Sequence, residues 1–297
     1  MANVIPIITG PTASGKSGLL YKLFDQGFDF EYISADAFQV YQGLDIGTAK
    51  PSIELRQHIP HHLIDIIPAD SSYTAGDFVA HAEAAIEAIL DADKHPVIAG
   101  GTGLYIQALR DGIFEVPSDA TIRQELQLRL DTEGNHKLYH ELQGIDPTYA
   151  AKIHENDSVR ILRALEVYRI TGLPISIAHK ELRKPPRYSY NVMVIDKKRE
   201  ELYADINKRT ENMIAEGWME EVRSLLASGI TPDMPSFRAI GYKELTMALS
   251  SEITLAEATS IIAQKTRNYA KRQLTLFRGM LDGAKFMSAE AIAKNLS

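Results

Sequence analysis

The sequence predicts an α/β protein in which a parallel sheet is flanked by helices and interrupted by an all-helical insertion. Three observations support this fold class. Short apolar runs alternate with amphipathic stretches in the first third of the 297-residue chain, as is typical of βαβ units. Only helical periodicity follows, from Pro117 to about Lys180. An apolar run from Tyr190 to Asp196 then resumes the strand pattern.

Apolar runs predict the strands of this sheet. They read NVIPIITG (3–10), FDFEYISAD (28–36), HPVIAGGTG (95–103) and YNVMVID (190–196). A helix follows the first run and ends near Gly27, and another follows Thr74, a plausible N-cap. After the last strand we expect long helices from Arg199 to Ala227 and from Leu255 to about Gly279.

Two prolines in the stretch Arg183 to Tyr188 predict a stiff, extended return from the insertion. We therefore divide the chain into a core domain, residues 1–116 and 186–297, and a helical insertion domain, residues 117–185.

Composition limits the function classes. The absence of cysteine excludes disulfides, thiolate zinc sites and cysteine nucleophiles, and suits a reducing cytoplasm. No run approaches the ~18–20 apolar residues of a membrane span. We expect a cytoplasmic monomer with no membrane partner. The net charge of −7 means that nucleic acid could bind only at local basic patches.

A glycine-rich loop follows the first predicted strand and opens a helix. It has the spacing Gly10, four residues, then Gly15, Lys16 and Ser17. Backbone N–H groups of such a loop converge on a phosphate, lysine adds a charge, and the serine hydroxyl can bind Mg²⁺. The core is therefore predicted to resemble a P-loop NTPase. The loop alone does not reveal whose phosphate it holds.

Asp36 ends the second predicted strand, at the sheet edge where ligands bind in open α/β folds. From its position alone, it could bind Mg²⁺, cap the following turn or act as a base. Asp196, at the end of the last strand, also fits a metal-binding role loosely.

Several motifs then occur in a diagnostic order. They are GPTASGKS (10–17), SADAFQVYQGLDIGTAKP (34–51), HHLID (61–65), AGGTGLY (99–105), RALEVYRITGLPIS (163–176) and AIGYKEL (239–245). Together they resemble the tRNA dimethylallyltransferases, and the similarity covers nearly the whole chain.

The resemblance implies that the glycine loop holds the diphosphate of dimethylallyl diphosphate, with Mg²⁺ as cofactor at Ser17. Asp36 would be the general base toward the exocyclic amine of the adenine 3′ of the anticodon. Lys16 and Arg209 would act on the leaving diphosphate. The implied diphosphate-binding residues are Gly10, Pro11, Thr12, Ala13, Ser14, Gly15, Lys16 and Ser17.

The other implied partner is the anticodon stem-loop of tRNA. The implied tRNA-binding residues are Asp36, Ala37, Phe38, Gln39, Thr102, Arg123, Val159, Arg160, Ile161, Leu162, Arg163, Arg238, Arg267, Lys271 and Arg278.

A basic segment from Gln264 to Arg278 carries five cations and no acid. On a helix, Arg267, Lys271 and Arg278 fall within about 40° of one another, as a phosphate-binding face requires. The vicinal pair His61 and His62 we interpret as structural.

Two other functions fit the residues. One is a P-loop kinase of a small molecule, with Asp36 as the base toward a hydroxyl group. The other is a non-catalytic RNA-binding protein that retains the loop. Nucleotides, ATP included, could also compete for the loop.

Overall fold

The computed structural model describes residues 4–280 and 284–296. The chain divides into two compact units. The core unit comprises the chain up to Arg110 and from Arg187 onward, and the helical unit runs from Asp111 to Pro186. The sequence places the insertion at 117–185.

The first part of the core unit alternates strands and helices. In chain order these are β1 (Val4–Thr9), α1 (Lys16–Asp25), β2 (Phe30–Ser34), α2 (Ile53–His58), β3 (His61–His62), α3 (Ala75–Asp91), β4 (His95–Gly100) and α4 (Gly103–Asp111).

The helical unit follows. Its elements are β5 (Ile113–Phe114), α5 (Ala120–Glu133), α6 (Asn135–Ile145), α7 (Pro147–Ala150), α8 (Ser158–Thr171), α9 (Ile175–Glu181) and β6 (Arg183–Lys184). The strands β5 and β6 pair antiparallel, so the first two residues of the extended segment predicted from Arg183 to Tyr188 pair with the beginning of this unit.

The chain then returns to the core unit. The remaining elements are β7 (Ser189–Ile195), α10 (Arg199–Ala215), α11 (Trp218–Ala227), a 3₁₀ turn (Pro235–Arg238), α12 (Tyr242–Leu249), α13 (Leu255–Met280), β8 (Lys285–Met287) and α14 (Ala289–Leu296). Among the described residues, no helix combines the length and apolar character needed to cross a membrane.

The described strands of the core unit form one parallel sheet in the order β3-β2-β4-β1-β7-β8. The predicted α/β class is confirmed. The central strands bury continuous apolar runs, with Ile7, Ile8, Ile33 and Ile98 fully inaccessible. Both faces are covered by helices, and for this reason these strands do not alternate polar and apolar residues.

The edge strands β3 and β8 escaped sequence prediction. β3 has two residues and β8 has three, which is too short for any periodicity to show. Each forms by adding to a strand already in place: His61 pairs with Tyr32, and Phe286 pairs with Val194.

Helix caps follow the sequence closely at α3. The Thr74 hydroxyl accepts the Asp77 N–H (3.1 Å), and the Asp77 carboxylate accepts the Thr74 N–H (2.8 Å). This capping box satisfies two N–H groups that a helix start leaves open. Thr74 is therefore confirmed as the N-cap.

The single helix expected from Arg199 to Ala227 is wrong, because α10 ends at Ala215 and α11 begins at Trp218. Gly217 has a φ of 102°, a left-handed conformation that ends helices and that glycine adopts without strain. The break lets Trp218 turn into the core, where its side chain is 2% exposed.

Candidate active site

The glycine loop joins β1 to α1 and is shaped to receive an anion. Ala13 and Gly15 have φ values of 62° and 95°, and left-handed residues in a loop turn successive N–H groups toward one concavity. The Ser14 hydroxyl is buried and finds no hydrogen-bond partner among the described residues. A buried polar atom without a hydrogen-bond partner costs free energy, so a phosphate oxygen bound in the loop would stabilise it by accepting a hydrogen bond from the Ser14 hydroxyl.

Lys16 has its ammonium folded back on this loop. Its Nζ donates to the carbonyl oxygens of Gly10 and Pro11, each at 2.9 Å. Burial first, then the nearby Arg209 guanidinium, lower the pKa of Lys16 to about 8, while Asp36 opposes the shift. A bound diphosphate would offset this cation–cation repulsion.

A cavity of about 730 Å³ opens from the glycine loop. This volume is within the usual range of small-molecule sites. Loop residues 12–18 form one part of its lining, and charged groups lie nearby. The charged and amide side chains lining it are Lys16, Asp36, Gln39, Lys197, Asp205, Lys208, Arg209, Asn212, Arg238, Arg272 and Gln273. The larger apolar lining residues are Phe38, Ile206, Met213, Trp218, Ile240 and Ile262.

Asp36 lies in this cavity, just beyond β2. The hydrogen bonds it accepts from described residues come from the N–H groups of Phe38 (2.9 Å) and Gln39 (3.3 Å), and both use Oδ1. The capping role therefore occupies one carboxylate oxygen, and Oδ2 is left for a ligand. Its charge raises the pKa of Lys16 and of Arg209, which places it close to both cations.

Arg209 reaches the cavity from α10. Burial lowers the pKa of its guanidinium, against the opposing effects of Asp36 and Glu216. The structure thus brings Lys16, Asp36 and Arg209 together around one cavity. Arg238, from the 3₁₀ turn, is exposed and lines the same cavity.

The residues after β2 are held by side chains from elsewhere in the core unit. The Thr102 hydroxyl accepts the Ala37 N–H (3.0 Å), so it ties the start of α4 to the Asp36 loop. Gln39 donates to the carbonyls of Thr48 (3.2 Å) and Ala49 (3.3 Å) and accepts from Ser34 (2.8 Å). The Gln39 amide therefore shapes the cavity wall, a role that the implied base contact did not anticipate.

The cations of α13 differ in their surroundings. Arg267 is half-buried and hydrogen-bonds Asn207 and Gln264, whereas Lys271 is exposed. Arg278 is exposed and stacks over the Phe286 ring at 5.9 Å. All three remain on the surface, where a phosphate backbone could reach them.

The helical unit holds the other implied tRNA residues. Arg123 on α5 and Arg163 on α8 both donate to Glu166, at 3.0 and 2.8 Å, and Glu166 is fully buried. Arg160 is exposed and pairs with Asp157 (3.1 Å).

The remaining residues of this segment divide by exposure. Val159 is 69% exposed, whereas Ile161 and Leu162 are buried at 0% and 4%. The side chains of Ile161 and Leu162 belong to the core of the helical unit, so they support the α8 surface and do not form it.

Three residues that line the cavity were missed by the sequence analysis: Lys197, Tyr269 and Gln273. Lys197 donates to the Ala13 carbonyl (3.3 Å) and pairs with Asp205. The position of Lys197 just beyond the carboxyl end of β7 is a sequence feature that indicates a ligand-binding edge of the sheet. Tyr269 and Gln273 are polar groups one turn apart on α13.

Ser17 fits the role of a Mg²⁺ ligand. It is exposed at the start of α1 and lines the cavity. Among the described residues there is no cluster of three or more His, Asp or Glu side chains that could hold a metal alone. Mg²⁺ commonly takes few protein ligands and completes its shell with water and substrate phosphates, and the donor set here suits that mode. The His61 and His62 pair is structural: His62 bonds Glu31 (2.6 Å) and His61 bonds the Ile59 carbonyl.

Comparison with known proteins gives consistent matches. The family model described as IPP transferase matches residues 39–280. The tRNA dimethylallyltransferase 2 of Geotalea uraniireducens is 48% identical over 274 residues, which is 91% of this chain and 88% of that protein.

Solved structures agree with the sequence matches. The tRNA isopentenylpyrophosphate transferase of Bacillus halodurans has a TM-score of 0.70 at 34% identity, covering 99% of this chain and 94% of that one. A eukaryotic dimethylallyltransferase, described as acting on tRNA, has a TM-score of 0.82 at 27% identity, covering 97% of this chain and 74% of that one.

Proposed function

The chain belongs to the IPP transferase family, and on this premise we propose that it transfers a dimethylallyl group from dimethylallyl diphosphate to tRNA. The acceptor is the exocyclic N6 amine of the adenine 3′-adjacent to the anticodon, and the other product is diphosphate. The supporting observation is the cavity that combines an anion-binding glycine loop, the half-buried cations Lys16 and Arg209, the Asp36 carboxylate and an apolar lining.

The diphosphate occupies the glycine loop in this proposal. The Ser14 hydroxyl gains a partner, and the Lys16 and Arg209 cations face the phosphate oxygens. As the bond between the allylic carbon and the diphosphate oxygen breaks, negative charge builds on the leaving group. Fixed cations and N–H donors stabilise this charge without reorganising, and so they lower the barrier. The phosphate is a leaving group, so no nucleoside triphosphate is consumed.

The apolar lining suits the dimethylallyl chain. Met213, Trp218 and Ile262 are buried and line the same cavity as the glycine loop. Excluding water there protects the electron-poor allylic carbon from hydrolysis.

The adenine reaches the cavity only if it leaves the base stack of its loop. Single-stranded RNA loops expose bases that proteins capture in this way. The N6 nitrogen then attacks the allylic carbon, and the new C–N bond forms as the C–O bond breaks. Asp36 accepts the N6 proton, a role worth about 10²–10⁴-fold in rate.

Mg²⁺ at Ser17 would supply additional positive charge to the departing diphosphate. The basic residues of α13 and of α8 would bind tRNA phosphates, which give affinity, while contacts to the bases select the site. We expect a monomer to suffice, because every residue of the proposed reaction belongs to one chain.

The test is direct. The protein is incubated with Mg²⁺, dimethylallyl diphosphate and unmodified anticodon stem-loop RNA, and the RNA mass is followed. We expect one added prenyl group when adenine follows the anticodon, and none when guanine replaces that base. Absence of product on the adenine RNA, together with ATP-dependent phosphorylation of a small molecule, would favour a kinase.

A further inference from the structure

A buried amide on helix α13 hydrogen-bonds the glycine loop. Gln273 is 5% exposed. Its Oε1 accepts the Thr12 N–H (2.9 Å), and its Nε2 donates to the Gly101 carbonyl (2.7 Å). The two bonds need an acceptor and a donor from the same side chain, and the Gln273 amide supplies both.

The site is built around this amide. A Cβ on Gly101 would lie 2.5 Å from Gln273 Nε2, and its next neighbour would be the Gly10 carbonyl oxygen at 3.6 Å. The Gln273 amide therefore occupies the space that a side chain at position 101 would need.

One turn earlier on α13, Tyr269 extends the same connection. Its hydroxyl lies near the side chains of Thr102 and Gln273, and the Thr102 hydroxyl accepts the Ala37 N–H (3.0 Å). Gln273 thus connects the loops that follow β1 and β4, and Tyr269 lies beside Thr102, which holds the loop after β2.

We propose, resting on the function proposed above, that Gln273 is a positioning residue that fixes the glycine loop for diphosphate binding. It acts through the Thr12 N–H and the Gly101 carbonyl, and it does not itself touch the diphosphate. The loop residues that face the phosphate follow Thr12 directly. If the hydrogen bond between the Thr12 N–H and Gln273 is lost, the loop N–H groups and the Ser14 hydroxyl are held less precisely toward the phosphate.

The first variant is Gln273→Met, which keeps the length of the side chain and removes both hydrogen bonds. The probe is inorganic pyrophosphate with Mg²⁺, measured by calorimetry. We expect its affinity to fall about tenfold, the usual effect of losing one or two buried hydrogen bonds. Gln26→Met, the same change at an exposed position at the end of α1, should leave this affinity unchanged.

A kinetic measurement separates positioning from general loss of structure. In Gln273→Met the KM for dimethylallyl diphosphate should rise about tenfold, while the KM for the stem-loop RNA stays within about twofold of wild type. Equal increases of both KM values would overturn the proposal, because a loosened fold affects both substrates.

The second variant avoids any change at Gln273. In Gly101→Ala the new methyl group displaces the amide, so pyrophosphate affinity should again fall about tenfold. In a Gln273→Ala background, adding Gly101→Ala should cost less than about a further twofold, because the interaction is already absent. Fully additive losses would overturn the proposal, as would unchanged affinity in Gly101→Ala.

These binding measurements do not depend on turnover. If the wild-type protein bound pyrophosphate but prenylated no RNA, the proposed function would fail and the role of Gln273 in anion binding would still be measured. If the wild-type protein prenylated RNA and Gln273→Met bound pyrophosphate normally, only the positioning role would fail.

Discussion

Asp36→Asn separates the two roles that the structure gives to Asp36. The carboxylate caps the turn through Oδ1, which accepts the N–H groups of Phe38 and Gln39. An asparagine Oδ1 can accept both hydrogen bonds, so the turn should persist. The free energy of unfolding should therefore change by less than about 1 kcal/mol. The amide cannot accept a proton from the adenine amine.

The expected loss in kcat is about 10²–10⁴-fold, which corresponds to about 3–5 kcal/mol in the activation barrier. Pyrophosphate binding should not weaken, because the substitution removes a negative charge beside Lys16 and Arg209. The assay is single-turnover prenylation of the stem-loop RNA, with calorimetry of pyrophosphate and a melting curve as controls.

Asp36→Ala is the matched variant. It loses the base and the cap together, so it should share the kcat defect and also lose about 1 kcal/mol of stability. If Asp36→Asn kept kcat within threefold of wild type while it remained folded, Asp36 could not be the base.

Three further perturbations test other parts of the structure. Lys16 has a pKa of about 8, so it loses its charge as the pH rises through 8. The affinity of the wild-type protein for pyrophosphate should therefore fall between pH 7 and 9 relative to that of Lys16→Arg, whose guanidinium stays charged. Parallel pH profiles of the two proteins would contradict this. Replacing Arg267 and Lys271 together by alanine should weaken RNA binding and reduce its salt slope by about 1–2; an unchanged slope in a salt titration would place the RNA elsewhere. Glu166→Ala leaves two arginines of the helical unit without their buried partner, so the free energy of unfolding should fall by about 3 kcal/mol. Glu125→Ala removes a partly exposed ion pair and should lower it by less than about 1 kcal/mol. Equal melting temperatures of the two variants would contradict this difference.

Much of the core could be predicted from sequence because its signals are local. The apolar runs of β1, β2, β4 and β7 are long enough to show, and the Thr74 capping box lies within four residues. The edge strands β3 and β8 gave no signal because pairing with a neighbouring strand, and not their own sequence, stabilises them.

The site was predictable to the extent that the chemistry lies in contiguous motifs. The glycine loop and Asp36 each follow a strand, so topology alone places them at one edge of the sheet. Gln273 lies 261 residues from Thr12, and no spacing rule connects them. A polar residue on the buried face of a helix is the one sequence feature that could have drawn attention to it.

The residues of the α8 segment that the sequence groups together differ in their solvent exposure. Val159 and Leu162 lie in one implied tRNA-binding segment, yet one is on the surface and the other is in the core. Helical periodicity could have made this distinction, since only one face of α8 can meet solvent.

The stoichiometry of a single turnover tests the central claim most directly. Labelled dimethylallyl diphosphate is mixed with excess protein, Mg²⁺ and stem-loop RNA in the absence of any nucleoside triphosphate, and both products are counted. We predict one pyrophosphate released for each prenyl group on the adenine N6. Pyrophosphate release without RNA prenylation, or prenylation that requires a nucleoside triphosphate, would contradict an allylic diphosphate held in the glycine loop as the leaving group.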